Sequence, residues 1–346
     1  MKNNSTELYS LIEVCTLCGN CNNTCPIFKI DLTEPESPRG RINLIKELMN
    51  GNVSDSWKLG KIMKSCLLCG NCNISCTKGV DFRKILIGYR SKSIFFKNLK
   101  KKNNIREKIN GNIRKFTKFK NYQTDSDILL FPGYTVGRYY PEFIGRVIEI
   151  FNGIGLSVLV PDNLDNCQAY YKESGDMDGF EKALSINKEK LIKMSFDKML
   201  CFSEKDVLIF KEDYDFNKIK ISTLQEYLFL NYKYFRLNKN NINLYKKSAY
   251  HESLFEKNFI NYSEDNKEFF NSNKIDLEIF HEDCCGSGIN FEDNENGYSI
   301  ALADRFIGKL NDNNIDNLIV SSPECYKWLS KFIPNRIVSP IEIFIN

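Results

Sequence analysis

The chain has no long apolar run. Nowhere in its 346 residues do the roughly 18 consecutive apolar residues needed to span a bilayer occur. Its opening, MKNNSTELYS, lacks the basic and apolar regions of a secretory signal, so the expected compartment is the cytoplasm. Charge of one sign is also missing. Lys and Arg number 48 against 44 Asp and Glu, and the net +4 is too small to mark a nucleic-acid binder, so none is expected as a partner. No glycine-rich phosphate loop, nucleophile elbow or HExxH helix motif is present, which leaves no recognisable flavin or nucleotide site. Disorder is excluded as well, because 42% hydrophobic residues can build two or three ordinary domains.

What the sequence does have is cysteine. Eight of its 13 cysteines fall in the first 76 residues, and an odd total in a chain with no secretion signal points to metal ligation rather than disulfides. The N-terminal block, residues 1–91, repeats itself: CTLCGNCNNTC at 15–25 and CLLCGNCNISC at 66–76. Between them, SPRGRINLIKELMNG has a Pro-marked start, apolar Ile42, Leu44, Ile45 and Leu48, and a Gly51 stop, which predicts a connecting helix.

Each run has the spacing C-x2-C-x2-C-x3-C of bacterial ferredoxins, whose fourth cysteine serves the other cluster. One [4Fe-4S] cluster is therefore expected on Cys15, Cys18, Cys21 and Cys76, and a second on Cys66, Cys69, Cys72 and Cys25. The first run ends in the usual proline, Pro26, and the second has Thr77 there. A structural zinc site has no need of eight cysteines in this spacing.

Residues 92–120 hold 11 Lys and Arg and one Glu. This basic connector, 92–123, reads either as a solvated linker or as a docking surface for an acidic partner or anionic lipid. From 124 onward short β-rich runs alternate with helical stretches: DILLF at 127–131, a helix over 141–155, LSVLVP at 156–161 and a helix over 177–194. The segment from 127 can be laid over that from 247 with an offset near 118, which predicts two homologous α/β halves, 124–232 and 233–346. The fold class is an α-helical two-[4Fe-4S] ferredoxin domain followed by a duplicated α/β domain.

This order of modules, with the SPRGR segment and Cys284-Cys285-Gly286, resembles a family of iron–sulfur subunits. It comprises the iron–sulfur subunits of glycolate oxidase and of anaerobic glycerol-3-phosphate dehydrogenase, and the D subunit of heterodisulfide reductase. The resemblance implies a cysteine-rich (CCG-type) pattern in each half: one cysteine after the first strand, a CCG pair and a later C-x-x-C. In the first half those positions fall on Tyr134, Asn166-Cys167, Ser203 and Asp206, so one ligand in five survives. In the second half Leu254 replaces the first cysteine, Cys284 and Cys285 are intact, and Ser322 with Cys325 stands for the C-x-x-C.

With about four protein ligands needed per cluster, the disulfide-cleaving assembly of the heterodisulfide reductases is not expected here. Cys284, Cys285 and Cys325 with His281 as a fourth ligand would make a Cys3His zinc site or a degenerate cluster. A metal-free remnant and a redox-active thiol pair are the alternatives. Cys201 reads as a small core residue, and His251 as a structural histidine.

Function then follows from clusters without a substrate site. The resemblance implies an electron-transfer subunit fed by an FAD-dependent dehydrogenase or oxidase acting on a 2-hydroxy acid or glycerol 3-phosphate. It would pass electrons to a quinone, cytochrome or other acceptor, with peripheral membrane association through a partner. The competing classes are a heterodisulfide-reductase-type catalytic subunit and a non-catalytic iron–sulfur sensor or scaffold.

Overall fold

A computed structural model describes residues 8, 10–99, 109–113, 126–216, 218–238, 247–261, 263–275, 277–280, 284–288 and 297–345. The chain divides into two compact units. The first comprises 1–103 with 171–177 and 283–306, and the second comprises 104–170, 178–282 and 307–346.

In the first unit, helices Pro38–Met49, Trp57–Ser65, Phe82–Lys92 and Ile94–Leu99 enclose a core centred on Ile42, Ile45, Met63 and Ile85. The SPRGR segment starts the first of these for local reasons. Ser37 is its N-cap, accepting the Gly40 N–H at 2.8 Å, and Pro38 occupies the first turn, where its missing N–H costs nothing. Gly40 is required by crowding, since a Cβ there would lie 1.8 Å from the Glu34 carbonyl oxygen. No helix among the described residues is long and apolar enough to cross a membrane.

The second unit carries two parallel sheets. Strands β1 (Ile128–Phe131), β2 (Lys198–Cys201) and β3 (Lys220–Thr223) pair in the order β1-β2-β3, and Leu129 makes a parallel bridge to Leu159. A short strand β4 (Arg236–Leu237) follows. Strands β5 (Ser248–His251), β6 (Leu277–Phe280), β7 (Asn317–Val320) and β8 (Ile337–Val338) then pair in the order β6-β5-β7-β8. With the Leu159 stretch counted beside β1, both sheets run in the same spatial order. Strand β9 (Phe344–Ile345) returns to pair with β4 antiparallel.

β1 and β5 are buried along their whole length, as strands central to covered parallel sheets are. LSVLVP at 156–161 contributes only that single bridge rather than a strand; Pro161 ends the run with no N–H to donate. Helix Glu142–Gly153 buries Ile144, Val147, Ile148 and Phe151 at helical spacing and ends at glycine.

Candidate metal centres

The two cysteine loops repeat in backbone conformation as well as in sequence. Leu17 and Leu68 have φ of 55° and 54°, and Gly19 and Gly70 have 87° and 84°. A leucine in the left-handed region is held there against its preference, and the same cost is met twice at matching positions. The tight turns bring backbone N–H groups to sulfur: Asn20 donates to Cys18, and Asn71 donates to Cys69. Cys25 accepts from Phe28 and Ile27. Thr24 and Asn71 tie the loops together, the Asn71 amide donating to the Thr24 carbonyl at 2.9 Å and the Thr24 hydroxyl donating to the Asn71 carbonyl at 3.5 Å.

Around Cys21 stand Cys15, Cys18 and Cys76, whose thiolates act on it electrostatically. Burial first, then these neighbours, push Cys21 up to about 11. The exposed Cys18 lies below the usual thiol value, chiefly through the Asn20 N–H. Cys25, Cys66, Cys69 and Cys72 line one cavity. Burial raises Cys69 to about 12 and Cys72 well above the ordinary value, with the neighbouring thiolates adding to both. Eight soft donors in two groups of four, with N–H groups aimed at several sulfurs, suit two thiolate-bound four-iron clusters. Metal binds the thiolate, so cluster uptake at the raised thiols Cys21, Cys69 and Cys72 is coupled to proton release.

The two arginines of SPRGR part company here. Arg39 is half exposed, pairs with Glu34 at 2.7 Å, and reaches the first loop, where a Cβ on Gly19 would meet its Nη1 at 2.7 Å. Arg41 is 1% exposed. It donates to Glu36 Oε2 at 2.5 Å, to Ser65 Oγ at 2.7 Å and to the Ile62 carbonyl at 3.2 Å, and it hydrogen-bonds the Cys25 sulfur.

In the second unit, the positions at and beside those to which the resemblance would assign ligands in residues 124–232 make hydrogen bonds and ring contacts. Asn166 Oδ1 accepts the Gly133 N–H at 3.1 Å, Gln168 Nε2 donates to Asp206 Oδ1 at 3.2 Å, and Tyr134 stacks on Tyr170 at 4.8 Å. Cys167 and Cys201 are fully buried. In the second half, parallel pairing of β5 with β7 sets His251 opposite Val320, five residues before Cys325. Ring nitrogen of His251 and Sγ of Cys325 come within 4.8 Å, both buried. His281 lies outside the described residues, so the histidine found near a surviving cysteine is the one the sequence assigned to structure. Strand-end position was the available signal for it.

The other surviving pair belongs to the first unit. There Cys284 packs against the buried cluster of Cys25, Ile27, Leu67 and Leu302, and its sulfur accepts the Gly286 N–H at 3.4 Å; Cys285 is buried. Gly286 has φ of 83°, and a Cβ on it would lie 2.5 Å from the Ser299 carbonyl oxygen, which explains the glycine of CCG.

Comparison with known proteins agrees with these observations. The family model for 4Fe-4S dicluster domains matches residues 11–80, and that for cysteine-rich domains matches residues 249–330. The glycolate oxidase iron-sulfur subunit of Escherichia coli (strain K12) is 38% identical over 80 residues, 23% of this chain and 19% of that protein. A Bacillus subtilis (strain 168) protein named probable glycolate oxidase iron-sulfur subunit is 33% identical over 73 residues, 21% of this chain and 16% of that one. The matched stretch thus spans under a fifth of either relative. The chain thus joins a 4Fe-4S dicluster domain to a cysteine-rich domain, and over part of its length it is similar to iron-sulfur subunits of glycolate oxidase.

Proposed function

We propose that this chain relays electrons, one at a time, from a flavoprotein dehydrogenase of the 2-hydroxy-acid or glycerol-3-phosphate type toward a quinone, cytochrome or other acceptor. The observation that carries the reading is the crossed grouping of eight cysteines around two centres. Cys15, Cys18, Cys21 and Cys76 hold the first four-iron cluster, and Cys66, Cys69, Cys72 and Cys25 hold the second. Bound clusters of this type supply single-electron redox chemistry. The protein's own part is to deliver deprotonated thiolates and to fix N–H donors at the sulfurs.

The identical strand order of the two sheets supports a duplicated α/β domain, 124–232 and 233–346, after the ferredoxin-type block of 1–91 and the basic connector of 92–123. Loss of ligands in the first half leaves it metal-free. For the second half we retain the zinc ion or degenerate cluster first expected on Cys284, Cys285 and Cys325 with His281; within the second unit, the nearness of His251 to Cys325 favours a metal-ligand role for that pair over an empty remnant.

Purified protein reduced with dithionite should donate electrons to dyes. It should oxidise neither glycolate, lactate nor glycerol 3-phosphate until a flavoprotein partner, identified by native co-purification, is added. Heterodisulfide reduction by the chain alone would instead move the heterodisulfide-type reading to first place. Lys100, Lys101 and Lys102 of the connector lie outside the described residues; changing all three to Glu should weaken partner coupling in a salt-sensitive way.

A further inference from the structure

Given the two cluster sites proposed above, we propose that the buried guanidinium groups of Arg41 and Arg90 are the counter-charge of the second site. They hold its reduction potential up and make the two repeated motifs electrically unequal. Arg41 hydrogen-bonds the Cys25 sulfur and acts electrostatically on Cys66 and Cys25. Arg90, also 1% exposed, donates to the Cys66 carbonyl at 2.7 Å, the Met63 carbonyl at 3.0 Å and the Glu173 carbonyl at 2.8 Å. Both therefore sit on the backbone or sulfur of second-site ligands. At the first site the corresponding cation is Arg39, half exposed and engaged in a two-pronged pair with Glu34.

Reduction adds one electron, supplied by the reductant, and so one unit of negative charge to a centre that four thiolates already make anionic. In a buried site this is opposed by poor solvation, and a fixed buried cation offsets the opposition. The same cation in water is screened, so Arg39 contributes little. Glu36 completes the arrangement: its carboxylate accepts from both Arg41 and Ser65 and partly cancels the Arg41 charge. Arginine suits the position because its guanidinium stays charged even where burial disfavours charge.

Redox-poised EPR on the full chain tests the proposal, the two reduction waves being assigned through Cys25→Ser and Cys76→Ser. Arg41→Met and Arg90→Met should each shift the second wave downward by at least tenfold in the reduced-to-oxidised ratio, about 59 mV for one electron. Arg41→Lys and Arg90→Lys should recover most of that shift. Glu36→Gln should move the second wave upward while Glu36→Asp, which disturbs the packing but keeps the charge, should leave it in place, and this pair carries the test should the Met variants fail to load clusters. Arg39→Met should leave the first wave in place. An unmoved second wave in a loaded Arg→Met variant, or a downward shift in Glu36→Gln, would overturn the proposal. Failure of the two-cluster reading is distinguishable, because the unmodified chain would then hold fewer than two clusters.

Discussion

Gly133 illustrates how a single residue maintains the packing around the first parallel sheet. It sits at φ of +70°, and a Cβ there would lie 2.3 Å from Asp206 Oδ2. Asp206 is itself held by Gln168, so it has little freedom to retreat. Gly133→Ala should therefore destabilise the second unit by about 1–3 kcal/mol, read as a lower denaturation midpoint with unchanged iron content. A neutral effect would mean that Asp206 is not fixed.

Buried carboxyls give the same unit a pH signature. Burial pushes Glu256 up to about 8, while Asn266 Nδ2 donates to it at 3.2 Å. Burial and then Glu324 push Glu204 up to about 7, while Ser253 Oγ donates to it at 2.7 Å. Their unfolded values lie near 4.5. Folding thus favours the protonated forms, and the stability they confer is complete below about 4.5 and lost as pH rises through about 7 and 8. Glu256→Gln, which keeps the shape without the charge, should match the parent near pH 5. It should gain on the parent by about 1–3 kcal/mol near pH 9 in thermal denaturation. Parallel stability curves from pH 5 to 9 would contradict the raised value.

At the scale of elements, the likeness of the repeated loops is legible in their cysteine spacing, and the matching φ values at Leu17 and Leu68 are its backbone expression. The helix expected between the loops runs from Pro38 to Met49, and DILLF became β1. Apolar periodicity and turn residues are local signals, so these elements were readable. Less readable was anything set by strand pairing. The closeness of His251 to Cys325 depends on β5 lying beside β7, 69 residues later in register, and no local pattern announces it.

The inward course of Arg41 was likewise hidden, because SPRGR shows two arginines of equal appearance. Only the helix phase sends one to solvent and the other to the Cys25 sulfur. For the cysteine-rich remnant, Cys325→Ser should lower any zinc or iron above eight irons per chain in elemental analysis, leaving the ferredoxin-type clusters intact. An unchanged metal content in this variant would make the remnant metal-free.

For the molecule as a whole, the account requires that two redox centres be built from interlocked loops, each dependent on one cysteine of the other. The proposed relay rests on that pairing, because bound clusters of this type pass single electrons. The most direct test is iron and sulfide analysis with EPR on anaerobically prepared parent, Cys25→Ser and Cys76→Ser proteins. The parent should hold about eight irons and show the broadened spectrum of two interacting clusters when reduced. Cys25→Ser should damage the cluster of the 66–72 loop and Cys76→Ser that of the 15–21 loop, each leaving a simple isolated-cluster signal. About four irons in the parent, or damage confined to the loop that contains the substituted cysteine, would contradict the crossed two-cluster relay.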